Sequence, residues 1–456
     1  MNTLIYASCL GLLCMIAEIM DLRKILVSLV VIGLAVIFYF NFQDWNHLST
    51  HFNQMVRIDN YSVAFSGLAI VLSGLVFVLS ADFYKNDEKH ISDYLAILVF
   101  ILCGALIMFS FWNLVMLFLG IEILSISLYI MAGSKRFDVR SNEAGFKYFL
   151  LGSFASAFLL FGIALIYGAT NSFHLGNIAA YVSSHSISPL FYVGMLMILI
   201  AMLFKVAAVP FHFWSPDVYE GSPALVTTLM STLVKIAAFG AFYRLFYVCF
   251  LDTLSYVHVI LAIVTAATII LGNLIALSQN NFKRLLAYSG ISHAGYMMLG
   301  LMSMKTGTAS ALFYYGTGYS IATIGAFAVA ILVFKVMESE NIESFNGLGK
   351  KNPFLAAALS MSMLSLAGIP PFAGFLGKYY IFSEAIKNGN IAITVIAVIT
   401  SVIGVYYYFK VILAMYTKEP NETEVKSNIA YTSIIILCLL LSLLIGIFPD
   451  MLMNIF

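Results

Sequence analysis

The chain has 456 residues, of which 62% are hydrophobic and only 10% are charged, and its formal net charge is +1. Charged residues make up about a quarter of an ordinary soluble domain, so this composition, with a mean hydropathy of +0.97, excludes a soluble globular fold and predicts an integral membrane protein. The nearly neutral charge also argues against a nucleic-acid partner.

Fourteen apolar runs follow one another along the chain, with short polar connections between them. A spanning helix needs about 20 mainly apolar residues. The runs begin near Thr3, Leu22, Ser62, Tyr94, Phe111, Ala144, Pro189, Ala224, Leu254, Leu285, Thr308, Pro353, Asn390 and Ile429. We therefore predict an all-α polytopic membrane protein with about 14 transmembrane helices.

The basic residues outside these runs are unevenly divided between the two sides of the membrane. With fourteen spans, 15 of the 23 lysines and arginines fall on one side and four on the other. The larger set consists of Arg23, Lys24, Lys85, Lys89, Lys135, Arg136, Arg140, Lys283, Arg284, Lys335, Lys350, Lys351, Lys410, Lys418 and Lys426. Cytoplasmic loops carry the excess of basic residues. We therefore predict a multi-pass protein of the bacterial inner membrane with both termini on the periplasmic side.

Four lysines and one clearly intramembrane acid lie within the predicted spans. They are Glu122, Lys147, Lys205, Lys235 and Lys378. A lysine that faces lipid at mid-membrane costs roughly 2.5 to 3.5 kcal/mol, so these side chains are expected to face protein or water. Intramembrane ionisable groups are functional candidates for the same reason.

The depth of each residue within its run separates these candidates. Glu122 and Lys235 lie near the middle of their runs, too far from either surface for the side chain to reach it. Lys147 lies one turn inside its run and four residues after Glu143, so a helix-end lysine paired on its own helix is equally compatible with the sequence. Lys205 lies about one turn from the end of its run, where a lysine can also extend to the surface.

Prolines interrupt the two helices that carry Lys205 and Lys378. Lys205 precedes Pro210, and Lys378 follows Pro370 and Pro371. A plain proline kink is the simpler interpretation. However, these helices are the fourth members of two consecutive five-helix groups, helices four to eight and nine to thirteen. Because five is odd, the two groups would enter the membrane from opposite faces, which is the inverted-repeat plan of transporters with broken helices.

This plan predicts two inverted five-helix repeats with helices 7 and 12 broken. It divides the chain into four parts. These are three N-terminal transmembrane helices at 1–92, the first repeat at 93–250, the second repeat at 251–417, and a loop with a C-terminal transmembrane helix at 418–456.

Glu122 and Lys205 are the candidates for a pair that carries a proton. Burial disfavours the charged form of lysine and a nearby carboxylate favours it, so pairing promotes proton uptake and separation promotes release. A static buried ion pair that holds helices together is the alternative. His212, just past Pro210, and His293, within the tenth run, are candidate relays, although a lone histidine in a helix is more often a hydrogen-bonded packing residue.

The sequence contains no signature of a bound cofactor. The five cysteines lie in apolar runs, without a CxxC pair or a nearby histidine cluster, which indicates no disulfide, zinc or iron–sulfur site. The chain also contains neither a GxGxxG nor a GxxxxGK(S/T) loop. We therefore expect no metal and no cofactor in this chain.

Three stretches closely resemble signatures of one known family. They are FKVAAVPFHFWSPDVYEGSP at 204–223, NFKRLLAYSGISHAGYMMLG at 281–300 and AGIPPFAGFLGKYY at 367–380. Together they resemble the antiporter-like membrane subunits of respiratory complex I. The resemblance extends from about Tyr94 to about Tyr416.

The resemblance implies a role for each candidate residue. Glu122 would be the fifth-helix acid that pairs with Lys205 on the broken seventh helix, and Lys147 on helix six would modulate that pair. Lys235 on helix eight would be the central connecting lysine. Lys378 on the broken twelfth helix would be the terminal proton site.

The resemblance also implies how the chain takes part in a larger enzyme. His212 and His293 match family positions as candidate relays. The chain would be a non-redox subunit of a proton-translocating NADH:quinone oxidoreductase, inactive alone, with flavin and iron–sulfur clusters in partner subunits. Its partners would be the other membrane-arm and peripheral-arm subunits, membrane lipids and, indirectly, the quinone pool.

Three other functions stay open at the level of the sequence. A subunit of a multisubunit sodium/proton antiporter shares the fold and the buried lysines, and a hydrogenase-linked or ferredoxin-linked relative of complex I shares nearly all of these residues. The third alternative is a scaffold whose buried charges form structural ion pairs without transport. Sodium-dependent exchange would favour the first and the partners would identify the second, whereas unchanged pumping after Lys235→Ala would favour the third.

Overall fold

The structure, a computed structural model, describes residues 1–20, 22–85, 90–184, 187–421 and 423–456. Most of this part of the chain is α-helical, and it contains one short β-hairpin. Lys89, one of the lysines predicted to be cytoplasmic, lies outside the described residues.

The helices follow the predicted runs closely. The first half of the chain forms α1 (Asn2–Ile19), α2 (Arg23–Gln43), α3 (Asn60–Phe83), α4 (Ile91–Ser110), α5 (Leu114–Ala132), α6 (Val139–Thr170), α7 (Leu175–Ser183), α8 (Pro189–Lys205), α9 (Trp214–Gly221), α10 (Ala224–Ser231) and α11 (Leu233–Cys249). The second half forms α12 (Leu254–Leu277), α13 (Phe282–Leu301), α14 (Thr306–Met337), α15 (Leu348–Lys351), α16 (Pro353–Ala367), α17 (Ala373–Lys387), α18 (Ile391–Thr417), α19 (Ile429–Ile447) and α20 (Asp450–Met453). Each of the fourteen predicted starts lies within five residues of an observed helix start.

Eleven helical segments in the described part of the chain are long and apolar enough to cross a membrane. Two shorter apolar helices, α8 and α16, are the first halves of the predicted helices 7 and 12. A non-helical segment at 206–213 separates α8 from α9, and one at 368–372 separates α16 from α17. The all-α fold with these two broken helices is therefore confirmed.

The residues at the two predicted breaks account for them. Proline lacks a backbone N–H and cannot continue a helix, and Pro210 lies in the first break, with Pro370 and Pro371 in the second. Gly368 ends α16 in the left-handed region, at φ +85°. Its N–H donates to the carbonyl of Leu364 at 3.1 Å, which satisfies one of the last carbonyls of the helix.

A third break, between α10 and α11, was not predicted. Thr232 has φ −115° and ψ −85°, and no proline is present. Hydroxyl side chains crowd the preceding turns: Thr228 Oγ1 donates to the carbonyl of Ala224 at 2.8 Å, and Thr232 Oγ1 donates to the carbonyl of Thr228 at 2.6 Å. Such bonds back to the preceding turn bend helices, and we attribute the break to them.

The hairpin was also not predicted. Strands β1 (Ser49–His51) and β2 (Val56–Ile58) pair in antiparallel fashion, with Thr50 opposite Arg57. The chain then enters α3 at Asp59, whose carboxylate accepts from the Ser62 N–H at 2.9 Å as an N-cap.

The chain forms two compact units. Unit 1 comprises Met1–Trp214 and Leu233–Leu261. In it, α4 packs against α1, α3, α5 and α11, and α6 packs against α5 and α8. A β-carbon at Gly162 of α6 would lie 2.9 Å from the carbonyl oxygen of Gly194 of α8, so glycine allows this close approach. The contact fixes α8 along α6 and thereby the position of Lys205 at its end.

Unit 2 comprises Ser215–Thr232 and Ala262–Phe456. In it, α14 packs against α16, α17 and α19, while α13 packs against α17 and α18. The broken pair α16 and α17 therefore lies beside the long helix α14. The division into repeats at 93–250 and 251–417 stays a prediction.

Candidate functional site

Lys205 is the last residue of α8 and is 9% exposed. Its Nζ donates to Ser125 Oγ of α5 at 2.7 Å. Ser125 donates its own proton to the carbonyl oxygen of Ile121 at 2.5 Å, so its lone pairs are available to the ammonium group. The C-terminus of α8 also favours a cation, because the helix dipole is negative there.

Glu122 lies on the same face of α5 as Ser125, three residues earlier. Its carboxylate accepts a hydrogen bond from Ser156 Oγ of α6. The Lys205 ammonium group thus lies at Ser125, on the face of α5 that also carries Glu122, and Ser125 and Glu122 are about one helical turn apart. The carboxylate and the ammonium group are each bonded to a serine.

Tyr129 extends this face of α5 by one further turn. Its ring centroid lies 6.0 Å from Lys205 Nζ. The hydroxyl is buried and has no hydrogen-bond partner within the described residues. A β-carbon at Gly152 of α6 would lie 2.0 Å from this hydroxyl oxygen, so the ring can occupy its position only because residue 152 is a glycine.

Lys147 lies in a different environment. Its Nζ is 2.7 Å from Glu143 Oε1, four residues earlier on α6, and the two side chains are 40% and 57% exposed. This is the geometry of a helix-surface lysine paired on its own helix. Its predicted influence on Glu122 and Lys205 stays a prediction.

Lys235 lies in the first turn of α11, immediately after the break at Thr232, and is 5% exposed. The N-terminal end of a helix is electrostatically unfavourable for a cation. Tertiary packing in unit 1 therefore holds this lysine at a position that its own helix disfavours.

Lys378 lies on α17 in unit 2 and is 8% exposed. Its Nζ donates to the carbonyl oxygen of Ala367, the last residue of α16, at 2.7 Å. The ammonium group also lies 5.3 Å from the ring centroid of Tyr296, which is within the range of a cation–π contact. Lys378 therefore bridges the break, with its charge at the C-terminal end of the preceding half-helix.

His293 of α13 is 3% exposed and hydrogen-bonded through both ring nitrogens. Nδ1 lies 2.6 Å from the Tyr315 hydroxyl and Nε2 lies 2.9 Å from the Tyr408 hydroxyl. Tyr408 is in turn 2.5 Å from Ser289 Oγ. These contacts form a continuous hydrogen-bonded chain within unit 2.

His212 lies in the break after α8 and is 5% exposed. Its Nδ1 is buried and has no hydrogen-bond partner among the described residues. Unlike His293, His212 is therefore not hydrogen-bonded through both ring nitrogens. No group of three or more His, Cys, Asp or Glu side chains that could hold a metal ion occurs in the described ranges.

Comparisons with known proteins decide the family. The family model described as "NADH:quinone oxidoreductase/Mrp antiporter, TM" matches residues 112–404. A protein of Flavobacterium psychrophilum named NADH-quinone oxidoreductase subunit N is 48% identical over 454 residues, with 100% of both chains covered. Its namesake in Cytophaga hutchinsonii is 46% identical over 457 residues, with 100% of this chain and 99% of that protein covered. The chain belongs to the NADH-quinone oxidoreductase subunit N family.

Solved structures agree with this membership. A chain of respiratory complex I from Thermus thermophilus is 32% identical, with a TM-score of 0.84, and the match covers 99% of this chain and 98% of that one. A chain of the Mrp complex from a Dietzia species reaches a TM-score of 0.90 at 20% identity, covering 99% and 95%. The second likeness shows a common fold alone. The subunit N family member described here is thus a multi-pass membrane protein.

The neutral residues that contact the charges in this subunit N family member were not predicted from the sequence. They are Ser125, Ser156, Tyr129, Ala367, Tyr296, Tyr315 and Tyr408. Ser125 and Tyr129 had a usable signal, because they follow Glu122 at spacings of three and seven residues in an otherwise apolar helix. The others lie on distant helices and carry no such signal.

Proposed function

We propose that this chain moves protons across the membrane as a non-redox subunit of a proton-translocating NADH:quinone oxidoreductase. The observation that carries the proposal is the position of Lys205, Lys235 and Lys378. Each is more than nine-tenths buried, and each lies at an interruption of a helix. Burial makes the charged form of a lysine costly. Exposed backbone groups at a broken helix supply the polar contacts that let the charge form there.

The Glu122 and Lys205 couple would take up and release a proton. When the ammonium group pairs with the carboxylate, the charged lysine is stabilised and a proton is retained. When the two separate, the charged form loses that stabilisation and a proton leaves. Lys235 and Lys378 would carry protons onward. His293 would relay them through its hydrogen-bonded tyrosines. Lys147 and His212 would have supporting roles, which only the resemblance to the family implies.

Redox chemistry would take place in partner subunits, which would hold the flavin and iron–sulfur clusters. This chain would contain no cofactor of its own. It would sit in the bacterial inner membrane with both termini on the periplasmic side, among the other membrane-arm and peripheral-arm subunits and the surrounding lipids. It would couple to the quinone pool only through those subunits.

Replacement of Lys235 tests this function directly. We expect Lys235→Ala to leave the complex assembled, as measured on native gels. We also expect it to lower NADH-driven proton uptake into inverted membrane vesicles by about tenfold or more, because loss of a positioned proton-transfer group has an effect of at least this size. Lys387→Ala is the control, because the Lys387 side chain is 67% exposed and pairs with Glu384 at the end of α17. It is expected to pump normally.

Three outcomes would point elsewhere. Normal pumping by assembled Lys235→Ala would support a scaffold with structural charges. Vesicles that exchange sodium for protons without NADH oxidation would support a multisubunit antiporter. Pull-down of the tagged chain with partners that oxidise hydrogen or ferredoxin, but not NADH, would support a related complex with another electron donor.

A further inference from the structure

One face of α5 presents alternative positions for the Lys205 ammonium group. Glu122, Ser125 and Tyr129 are spaced by three and four residues, so their side chains lie above one another on this face. Seven residues of α-helix span about 10 Å along the axis. A lysine at the end of α8 can therefore move from one of these side chains to the next by rotation of its own flexible stem.

The observed position of Lys205 is at Ser125, not at Glu122. The Nζ to Oγ distance is 2.7 Å, and the Ser125 proton is directed to the carbonyl oxygen of Ile121 at 2.5 Å. A hydroxyl has one proton and two lone pairs, so Ser125 is held in the orientation that accepts from an ammonium group. Ser125 is fully buried, so this oxygen is shielded from bulk water.

Glu122 is held separately, from the neighbouring helix. Ser156 Oγ of α6 donates to Glu122 Oε1, and a hydrogen bond to an ionised carboxylate is stronger than one between neutral groups. The serine on α6 thus compensates the carboxylate when the lysine is elsewhere. Each partner of the couple has its own neutral hydroxyl in the separated state.

We propose that Ser125 and Ser156 are positioning residues that stabilise the separated state of the Glu122 and Lys205 couple. Ser125 holds the ammonium group and Ser156 holds the carboxylate while the two charges are apart. This inference rests on the proposed function, because it assigns the state from which that couple releases its proton. Without the two hydroxyls the ion pair closes and the release step slows.

Removal of the hydroxyls tests the proposal in the complete complex in inverted membrane vesicles. A hydrogen bond to a charged group shifts an equilibrium by about tenfold or more, so we expect Ser125→Ala and Ser156→Ala each to lower NADH-driven proton uptake by about tenfold. Ser127→Ala on α5 and Ser153→Ala on α6 are the matched controls. Ser127 lies on another face of α5, and Ser153 Oγ donates to the Phe149 carbonyl at 2.7 Å on an exposed surface of α6.

An isosteric pair separates the hydroxyl from packing. Ser125→Thr keeps the hydroxyl and Ser125→Val removes it at nearly the same volume, so we expect the threonine variant to pump severalfold faster at equal amounts of assembled complex. In the electron-microscopic structure of Ser125→Ala, Lys205 Nζ is expected within about 4 Å of the Glu122 carboxylate, the distance of an ion pair. The proposal would be overturned if the Ser125→Thr and Ser125→Val variants pumped at equal rates, or if Lys205 Nζ stayed beside residue 125 in the Ser125→Ala structure.

Lys205→Ala in the same vesicles separates this proposal from the proposed function. If Lys205→Ala abolishes pumping and both serine variants pump like the controls, the couple carries protons but its separated state does not depend on the hydroxyls. If Lys205→Ala pumps normally, the proposed function fails, and the serine assignment fails with it.

Discussion

At the scale of single residues, two of the buried lysines, Lys205 and Lys378, bond to neutral oxygen atoms. Lys205 donates to a serine hydroxyl, and Lys378 donates to the backbone carbonyl of Ala367. A lysine at mid-membrane costs roughly 2.5 to 3.5 kcal/mol, and a hydrogen bond to a charged group offsets about 1.5 to 3 kcal/mol of that. The charged form is therefore tolerated without being locked, which suits a group that must gain and lose a proton.

Lys378→Arg separates a structural charge from a proton carrier. A guanidinium group keeps the positive charge and can donate to the Ala367 carbonyl, but it stays protonated under all physiological conditions. We therefore expect Lys378→Arg to assemble normally and to lose NADH-driven proton uptake by about tenfold or more, as measured in inverted membrane vesicles. Normal pumping by the arginine variant would mean that the charge at this position is structural.

At the scale of elements, the breaks in helices decide where the charges lie. Lys205 is the last residue of α8, Lys235 lies in the first turn of α11, and Lys378 reaches back to the end of α16. Prolines signal the first and last of these breaks in the sequence. The middle break depends on back-bonded threonine and serine hydroxyls, which occur in many continuous helices, so the sequence did not reveal it.

Gly368 lies at the break between α16 and α17, next to the side chain of Lys378. Its φ of +85° disfavours any residue with a β-carbon by about 1–2 kcal/mol. A β-carbon there would also lie 2.9 Å from Lys378 Cδ. We expect Gly368→Ala to displace Lys378 from the Ala367 carbonyl and to lower proton uptake severalfold.

Gly389→Ala is the matched control for this change. Gly389 has nearly the same φ, +83°, but a β-carbon there would meet no atom within 4 Å. It therefore carries the backbone cost without a collision. Equal activity of the two alanine variants, at equal amounts of assembled complex, would show that the position of Lys378 does not depend on Gly368.

At the scale of the whole molecule, the distribution of basic residues predicts the orientation in the membrane. Fifteen of the 23 lysines and arginines fall on one predicted side, and four on the other. A wrong number of spans would have mixed the basic residues of the two sides, so the asymmetry also supports a count of fourteen spans. The orientation with both termini on the periplasmic side stays a prediction.

Reporter fusions test this orientation. We expect alkaline phosphatase fused after Phe456 to be active, because it needs the oxidising periplasm to form its disulfides, and a fluorescent protein that folds only in the cytoplasm to be dark there. The control is a truncation after Lys350, on the predicted cytoplasmic side, which should give the opposite pair of signals. An inactive phosphatase at Phe456, with an active one at Lys350, would invert the topology.

The sequence by itself determined the helices, the prolyl breaks and the charged candidates of this protein. Apolar runs, prolines and intramembrane charges act through local backbone geometry and through transfer from water to lipid, and both are readable residue by residue. For this reason, Glu122, Lys205, Lys235 and Lys378 could be identified without coordinates.

Only the tertiary structure decided the partners of those charges. Lys205 meets Ser125 across 80 residues of sequence, and His293 meets Tyr408 across 115. Lys147 lies on the helix surface beside Glu143, although its depth in the run was equally compatible with burial. Hydrogen-bond partners depend on the rotation and depth at which helices pack, and these are set by distant contacts such as that between Gly162 and Gly194. No local pattern encodes them.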